Sequence, residues 1–166
     1  MLNHTEIISL LWYDHDMRVL LQRVKQASVS IDGILASSIQ AGYLLFLCMM
    51  NDDSEEDTGI LVEKILHLRL FEGVDGKIND QTIVDVKGEI LLVSQFTLAA
   101  NLQKGNRPDY TAAAPAAMAK IIYDQFLAQL KTSGLTVESG TFGADMDVTL
   151  INDGPVTLLL DTKTRL

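Results

Sequence analysis

Two hydroxyls and an amide directly follow an apolar run near the middle of the chain. Residues 90–93 are Ile, Leu, Leu and Val, and Ser94, Gln95 and Thr97 come next. The β-branched residues and the preceding Gly88 favour a strand that is buried on both faces. A buried polar group costs about 1–3 kcal/mol unless it is hydrogen-bonded. These side chains are therefore either satisfied by nearby backbone or turned towards a ligand, and residue types alone leave both readings open.

A site of hydroxyls, an amide and backbone groups is poor at generating a strong base. It can bind the oxygen of a reacting carbonyl, for which one preorganised donor contributes about 2.7–4 kcal/mol. Such a site needs a substrate that is already activated.

Other common catalytic sites find little support. The three histidines, His4, His15 and His67, lie away from the polar segment, which argues against a Ser-His-Asp arrangement. The sequence has no Cys/His cluster with zinc spacing and no phosphate loop. Asp145 and Asp147 are more typical of solvated or capping carboxylates than of a catalytic pair. We therefore predict no metal and no cofactor.

A second polar segment, Asn-Asp-Gly-Pro-Val-Thr at 152–157, lies between the apolar runs 148–151 and 156–160. Proline removes a backbone donor, glycine frees one φ angle, and X-Pro is the common place for a cis peptide. Read alone, the segment is typical of a turn between two hairpin strands.

The segments S-Q-F-T-L-A at 94–99 and N-D-G-P-V-T at 152–157 together resemble the D-aminoacyl-tRNA deacylases, also called D-tyrosyl-tRNA deacylases. The resemblance begins at M-R-V-L-L-Q-R-V (17–24) and A-S-V (27–29). It also includes K-G-N-R-P (104–108) and A-D-M (144–146). Only residues 1–16 fall outside it, so we expect an N-terminal extension at 1–16 and a single domain at 17–166.

The resemblance implies hydrolysis of the ester between a D-amino acid and the tRNA 3′ adenosine, a step of chiral proofreading in translation quality control. Carried over by motif, the N–H groups of Phe96 and Thr97 face the ester carbonyl, and Ser94 and Gln95 shape the site. Whether Thr97 is the nucleophile or water attacks is left open, although the lack of a histidine or lysine in the motif favours water.

The resemblance also implies a homodimer with the active site at the subunit interface. Gly154 and Pro155, joined by a cis peptide, would reach into the partner subunit's pocket, and Arg23 would hold their loop by binding its backbone. An L side chain would then collide with this backbone, whereas a D substrate places hydrogen there. Glycine, including glycine mischarged on alanine tRNA, would not be excluded.

Composition limits the other readings. The 166 residues, with 48% hydrophobic and 21% charged residues, fit one globular domain. A net charge of −9 argues against a nucleic-acid partner, and we expect no DNA partner. Binding of only the 3′ aminoacyl end, with basic groups near the site and the acidic cluster far from the RNA, would reconcile the charge with tRNA. The basic residues are Arg18, Arg23, Lys25, Lys104 and Arg107, and the acidic ones are Asp52, Asp53, Glu55, Glu56 and Asp57.

Two rival functions stay open on residues alone: an esterase of small molecules and a non-catalytic dimeric interaction module.

The single Cys48 lies in an apolar run, which predicts a buried inert thiol and suits a reducing cytoplasm. The apolar part of residues 1–16 is too short for a membrane span and lacks a signal-peptide pattern, so we expect no membrane partner. A short extra helix, or an upstream start before Met17, would account for residues 1–16.

The predicted fold class is α+β, with antiparallel or mixed sheets, two long helices and a possible short N-terminal helix; the barrel-like curling of the sheets is implied by the resemblance. Strands are predicted at 18–24, 27–31, 34–39, 42–50, 89–98, 136–139, 146–151 and 156–160. Helices are predicted at 55–68, with Ser54 as cap, and from Pro115 to about Lys131. Their inner faces are predicted to be Ile60, Leu61, Ile65 and Leu68 in the first helix, and Met118, Ile121, Ile122, Gln125 and Phe126 in the second.

Overall fold

The computed structural model describes residues 17–103 and 105–162. The expected N-terminal helix and Lys104 lie outside the described residues. The elements in chain order are β1 (Arg18–Ile31), β2 (Ile34–Ile39), β3 (Gly42–Cys48), α1 (Glu55–His67), β4 (Arg69–Phe71), β5 (Gln81–Thr82), β6 (Glu89–Ser94), a 3₁₀ helix (Phe96–Ala99), α2 (Ala116–Lys131), β7 (Val137–Ser139) and β8 (Asp147–Asp161). No helix of the described part is both long enough and apolar enough to cross a membrane.

The long strand β1 organises a six-stranded mixed sheet. One edge of β1 pairs antiparallel with β3 and then β2, and its other edge pairs antiparallel with β8. Beyond β3, the strands β6 and β7 are added in parallel. The sheet is nearly closed into a barrel, which confirms the predicted α+β class with a barrel-like core. The segments 18–24 and 27–31, expected as two strands, form one continuous strand.

Both faces of the inner strands are buried, as the apolar run at 90–93 predicts. Leu45 and Leu92 point towards the two helices, where they join the larger core cluster with residues such as Phe126. Their neighbours Leu44 and Leu91 point the other way, into the smaller cluster inside the curled sheet. Alternate residues of a strand face opposite sides of the sheet. A strand that is buried on both faces therefore needs an unbroken run of apolar residues.

The parallel pairing of β3 with β6 begins at Gly42, which lies opposite Glu89. A Cβ atom at Gly42 would lie only 1.8 Å from the backbone oxygen of Glu89. Glycine is therefore required where the two backbones approach each other. This pairing sets the register that places Ser94 beside Leu47 at the other end of β6.

The helices match their predicted ranges closely, with differences at the inner face of α2. Ser54 and Asp57 form a capping box at the start of α1, and the helix ends at His67, one residue early. Along α2 the buried residues are Ala119, Ile122, Tyr123, Phe126 and Leu130. Met118 and Ile121, expected inside, are 53% and 57% exposed, and Ile60 of α1 is also exposed. The apolar residues of α2 surround much of the helix, so their periodicity fits two faces equally well.

The expected hairpin turn at Gly154-Pro155 is wrong, because β8 continues through this segment. On either side of it, Gln22 pairs with Thr157 and Val24 pairs with Asn152. Between these two pairs β1 has the single residue Arg23, whereas β8 has residues 153–156. The Gly-Pro segment is therefore a bulge inserted within one strand. Pairing with β1 on both sides outweighs the local turn preference of the dipeptide.

Two buried tyrosines differ in the state of their hydroxyls. The Tyr123 hydroxyl donates a hydrogen bond of 3.0 Å to the carbonyl of Leu92. Within the described residues, the Tyr43 hydroxyl has no hydrogen-bond partner. Burial raises the pKa of Tyr43, and it raises the pKa of Tyr123 to about 12. The fold thus favours the neutral form of both phenols.

We expect stability to fall at high pH for this reason. Below the unfolded-state pKa of about 10, the neutral Tyr123 phenol makes its full contribution to the free energy of unfolding. This contribution is lost as the pH rises through the folded-state pKa of about 12. Tyr123→Phe should cost about 1 kcal/mol at pH 7, whereas Tyr43→Phe should be neutral or stabilising. Urea unfolding at pH 7 to 11 measures both effects. A loss above about 1 kcal/mol for Tyr43→Phe would contradict this account.

Candidate functional site

The polar segment that follows β6 is a short, tethered turn. The strand ends at Ser94, not at Leu98 as expected, and a 3₁₀ helix covers Phe96–Ala99. The N–H of Gln95 donates to the carbonyl of Leu47 at 2.8 Å, which continues the pairing of β6 with β3 by one residue. The chain then turns because the N–H of Leu98 donates back to the carbonyl of Gln95 at 3.2 Å.

The backbone N–H groups of Phe96 and Thr97 lie at the start of this helix. The first N–H groups of a helix have no partner within the helix. The hydrogen bonds of the turn begin only at Leu98, and no backbone acceptor for the Phe96 or Thr97 N–H is found in the described part of the chain. Two neighbouring donors are therefore available to an acceptor from outside, such as the oxygen of a carbonyl.

Gln95 and Thr97 form a pair beside these donors. The amide Nε2 of Gln95 donates to the hydroxyl Oγ1 of Thr97 at 2.5 Å, and both side chains are half-buried. A hydrogen-bond donor at this oxygen does not remove the hydroxyl proton, so the contact positions Thr97 without activating it.

A cavity of about 560 Å³ opens next to the turn. Ser94, Gln95 and Phe96 line it on one side, whereas Thr97 lies beside it and outside its lining. The remaining lining is mostly apolar: Met49, Val93, Tyr110, Ala113, Ala114, Ala116, Ala119, Phe142, Gly143, Ala144, Asp145, Met146 and Val148. An apolar cavity with a few polar groups at one place is the usual form of a small-ligand site.

An exposed aromatic ring marks the mouth of this cavity. Phe96 is 59% exposed, and its ring meets that of Tyr110 edge to face with the centroids 5.2 Å apart. Tyr110 follows the loop 101–109, which is closed by two backbone hydrogen bonds between Asn101 and Asp109. Hydrogen bonds from Thr111 hold the pKa of the Asp109 carboxyl below its ordinary value. The loop is thus tied down at its base.

Gly154 and Pro155 are exposed on the outside of β8, and the peptide between them is cis. Neither residue lines the cavity of its own chain, as far as the structure describes that chain. The predicted peptide geometry is confirmed, but the two predicted parts of the site are not brought together within one chain.

Arg23 links the bulge to the rest of the fold through a side chain. Its Nε lies 2.9 Å from the carboxylate oxygen Oδ2 of Asp153, the residue before Gly154. The same guanidinium donates to the carbonyl of Leu70 and lies 5.8 Å from the centre of the Phe71 ring. The anchor was expected to bind the backbone of the loop, whereas the observed contact is an ion pair with Asp153.

The other residues considered for chemistry lie in ordinary environments. Cys48 is buried, as expected, and His67 is exposed with its Nδ1 2.8 Å from the carbonyl of Glu63. Asp145 lines the cavity, and Asp147 is exposed at the start of β8. Across residues 17–103 and 105–162, no three His, Cys, Asp or Glu side chains are grouped so that they could hold a metal ion.

Several lining residues were missed because they carry no reactive group. The alanines at 113, 114, 116 and 119 leave the space that the cavity occupies. The run Tyr-Thr-Ala-Ala-Ala-Pro-Ala-Ala at 110–117 is the available signal, since so many small residues together indicate a close approach or an open space.

Two solved structures share this fold. One described as a probable eukaryotic D-amino acid tRNA deacylase matches with a TM-score of 0.78 over 88% of this chain and 99% of that chain, at 19% identity, so the likeness concerns the fold. Another, described as a c-Myc DNA unwinding element binding protein, matches with a TM-score of 0.81 at 40% identity. That match covers 86% of this chain and 97% of the other.

The family itself follows from the sequence. The sequence model of the family described as D-Tyr-tRNA(Tyr) deacylase matches residues 20–161, and the chain belongs to this family. It is therefore a D-aminoacyl-tRNA deacylase, a hydrolase of translation quality control whose substrate is aminoacyl-tRNA. The resemblance found in the two motifs is confirmed.

Proposed function

We propose that hydrolysis of the D-aminoacyl ester takes place at the mouth of the 560 Å³ cavity, on the N–H groups of Phe96 and Thr97. The observation that carries this proposal is the pair of N–H groups with no backbone acceptor among the described residues, next to a cavity of ligand size. The two groups would donate to the ester carbonyl oxygen, on which negative charge develops. Ser94 and Gln95 shape the site, and the cavity receives the aminoacyl end of the tRNA.

Water is the proposed attacking group. Its oxygen adds to the carbonyl carbon, the bond from that carbon to the ribose oxygen breaks, and the ribose oxygen takes up a proton. The neighbouring 2′-hydroxyl of the substrate can give its proton to the ribose oxygen and take one from the attacking water, so the protein needs no strong acid or base. The Gln95 amide donates to Thr97, a contact that supports a positioning role for this hydroxyl and not a nucleophilic one.

Thr97→Ala should therefore keep substantial activity. We expect a loss of about tenfold or less in kcat, because the backbone N–H stays and only the hydroxyl that Gln95 contacts is removed. Release of D-tyrosine from D-Tyr-tRNA, with Thr97→Ser as the matched control, measures it. Complete loss in folded Thr97→Ala, with full activity in Thr97→Ser, would restore the covalent mechanism.

The handedness filter is proposed to come from a second subunit. Gly154 and Pro155 are exposed on β8 and lie outside the cavity of their own chain, which suits a role in a homodimer. The carbonyl groups of this segment would hold the α-amino group of the substrate, and its backbone would occupy the space that an L side chain needs. Arg23, through Asp153, anchors the segment.

Glycine passes such a filter because it has no side chain to collide. We therefore propose that glycyl-tRNA, including glycine mischarged on alanine tRNA, is also a substrate. The experiment that tests the function is deacylation of matched D-tyrosyl, L-tyrosyl and glycyl tRNA. Release of D-tyrosine and glycine, but not of L-tyrosine, supports the proposal. Binding of the charged tRNA without release, or rapid release of L-tyrosine, would refute it.

Pro155→Ala should weaken the discrimination between D and L substrates. The proline ring fixes φ near −65°, so its loss allows the segment to move out of the space it blocks. We expect hydrolysis of L-Tyr-tRNA to rise about tenfold or more relative to that of D-Tyr-tRNA. Val148→Ala, which changes the cavity wall of the same strand, is the control for a general loosening of the site. If Pro155→Ala hydrolyses L-Tyr-tRNA no faster than the unchanged protein does, Pro155 is not part of the filter.

The proposed setting is a single catalytic domain at 17–166 that acts in the cytoplasm, with residues 1–16 as an extension. With a net charge of −9, contact with the tRNA is proposed to be confined to its 3′ end, and DNA is not among the proposed partners.

A further inference from the structure

The 3₁₀ helix that carries the Phe96 and Thr97 N–H groups is also held at its carbonyl end, by Arg18. Arg18 is the first residue of β1, where it lies opposite Cys48 of β3 and Asp161 of β8. Its Nη1 donates to the carbonyl oxygen of Leu98 at 3.0 Å. Its Nε lies 3.4 Å from Oδ2 of Asp161. The side chains of Arg18 and Asp161 are 25% and 9% exposed, so this pair is largely shielded from water.

A cation at this place favours the helix in two ways. The last carbonyls of a helix lack partners within the helix, and they form its negative end. The Arg18 guanidinium gives the Leu98 carbonyl a hydrogen-bond partner, and it places a positive charge at the negative end of the helix. The helix has only four residues, so the Leu98 carbonyl lies within one turn of the Thr97 and Phe96 N–H groups. A shift of this short helix at Leu98 would therefore displace both N–H groups as well.

Other contacts hold the turn as well. The N–H of Gln95 is fixed to the carbonyl of Leu47 at 2.8 Å. The Cys48 sulphur lies 3.6 Å from the carbonyl of Phe96, a weak contact. At the carbonyl end, Ala99 is buried against Cys48 and Met50. Arg18 adds a directed hydrogen bond to this apolar packing, which has no directional preference of its own.

We propose that Arg18 is a positioning residue for the deacylation, which aims the Phe96 and Thr97 N–H groups by holding the carbonyl of Leu98. The inference rests on the proposed function of those N–H groups. Asp161 sets the direction of the guanidinium, whose fixed fork can serve both partners at once. A lysine has the charge but not the fork, so it should replace Arg18 only in part.

The test compares Arg18→Met, Arg18→Lys and the control Lys131→Met, which removes a positive charge at the exposed end of α2. Each protein is assayed on D-Tyr-tRNA well below its own melting temperature. We expect kcat to fall about tenfold or more for Arg18→Met with KM changed less than about twofold, since a displacement of about 1 Å can cost about 100-fold. Arg18→Lys should recover part of this loss, and Lys131→Met should match the unchanged protein.

A second measurement separates positioning from stability. Amide hydrogen exchange in the peptide that covers residues 95–100 should speed up in Arg18→Met, while exchange in β3 and β6 stays as it was. Unchanged kcat and exchange in Arg18→Met overturn the inference while leaving the proposed function intact. If Arg18→Met does not fold, unchanged kcat in Arg18→Lys overturns it equally. Failure of the unchanged protein to release D-tyrosine would instead overturn the proposed function, and this inference with it.

Discussion

Phe96→Pro should hydrolyse D-Tyr-tRNA about 10²–10³-fold more slowly than Phe96→Ala. Both substitutions remove the exposed ring that contacts Tyr110, but only proline also removes the backbone N–H. The position accepts proline, because Phe96 is the first residue of the 3₁₀ helix. Gln95 before it has φ −146° and ψ 75°, outside the helical region that proline disfavours in the preceding residue.

The comparison of these two variants isolates the backbone N–H of residue 96, which proline replaces with a ring carbon. Rates of D-tyrosine release give the result, and thermal unfolding of both proteins shows whether they remain folded to the same extent. Equal rates for folded Phe96→Pro and Phe96→Ala would show that the N–H of Phe96 does not bind the ester oxygen, and the main-chain mechanism would lose one of its two donors.

Gly42→Ala should destabilise the fold by about 4 kcal/mol or more, which is a large part of the stability of an ordinary domain. The added Cβ would lie 1.8 Å from the oxygen and 2.6 Å from the nitrogen of Glu89. These are backbone atoms of the paired strand, so relief requires that β3 and β6 separate. Urea denaturation of the purified variant measures the loss of stability. Failure of the variant to accumulate during expression would also show it.

A matched substitution in α1 gives the opposite expectation. At Gly59 the nearest atom to an added Cβ is Oε1 of Gln129, 3.9 Å away. Alanine there should stabilise the protein by about 0.5–1 kcal/mol, because glycine is unfavourable within a helix. A Gly42→Ala protein within about 1 kcal/mol of the parent would show that the two strands can adjust at this position.

The elements with strong local signals were predicted from the sequence. The apolar run before Ser94 identified the buried strand β6, and Ser54 identified the start of α1. In each case the residues that set the local structure are adjacent in the chain. Met118 and Ile121 were misplaced because α2 has more apolar residues than it can bury against the sheet.

Long-range pairing decided the features that were missed. Nothing local distinguishes a Gly-Pro turn from a Gly-Pro bulge, and only the pairing of β1 with both flanks of residues 153–156 makes it a bulge. Three of the residues predicted for the site, Ser94, Gln95 and Phe96, line one cavity. Their roles in catalysis stay predictions. The alanines of the cavity were not predicted, since a residue that contributes empty space has no chemical signature in the sequence.

The insertion of residues 153–156 within β8 also bears on the energetics of the proposed handedness filter. A loop at the end of a hairpin is free to swing, but these residues are secured by the strand pairs Gln22 with Thr157 and Val24 with Asn152. The conformational entropy of the insertion is therefore lost when the chain folds, and not again with each arriving substrate. The proposed handedness filter, if built on this insertion, would need no closing movement and would test every amino acid against the same fixed shape.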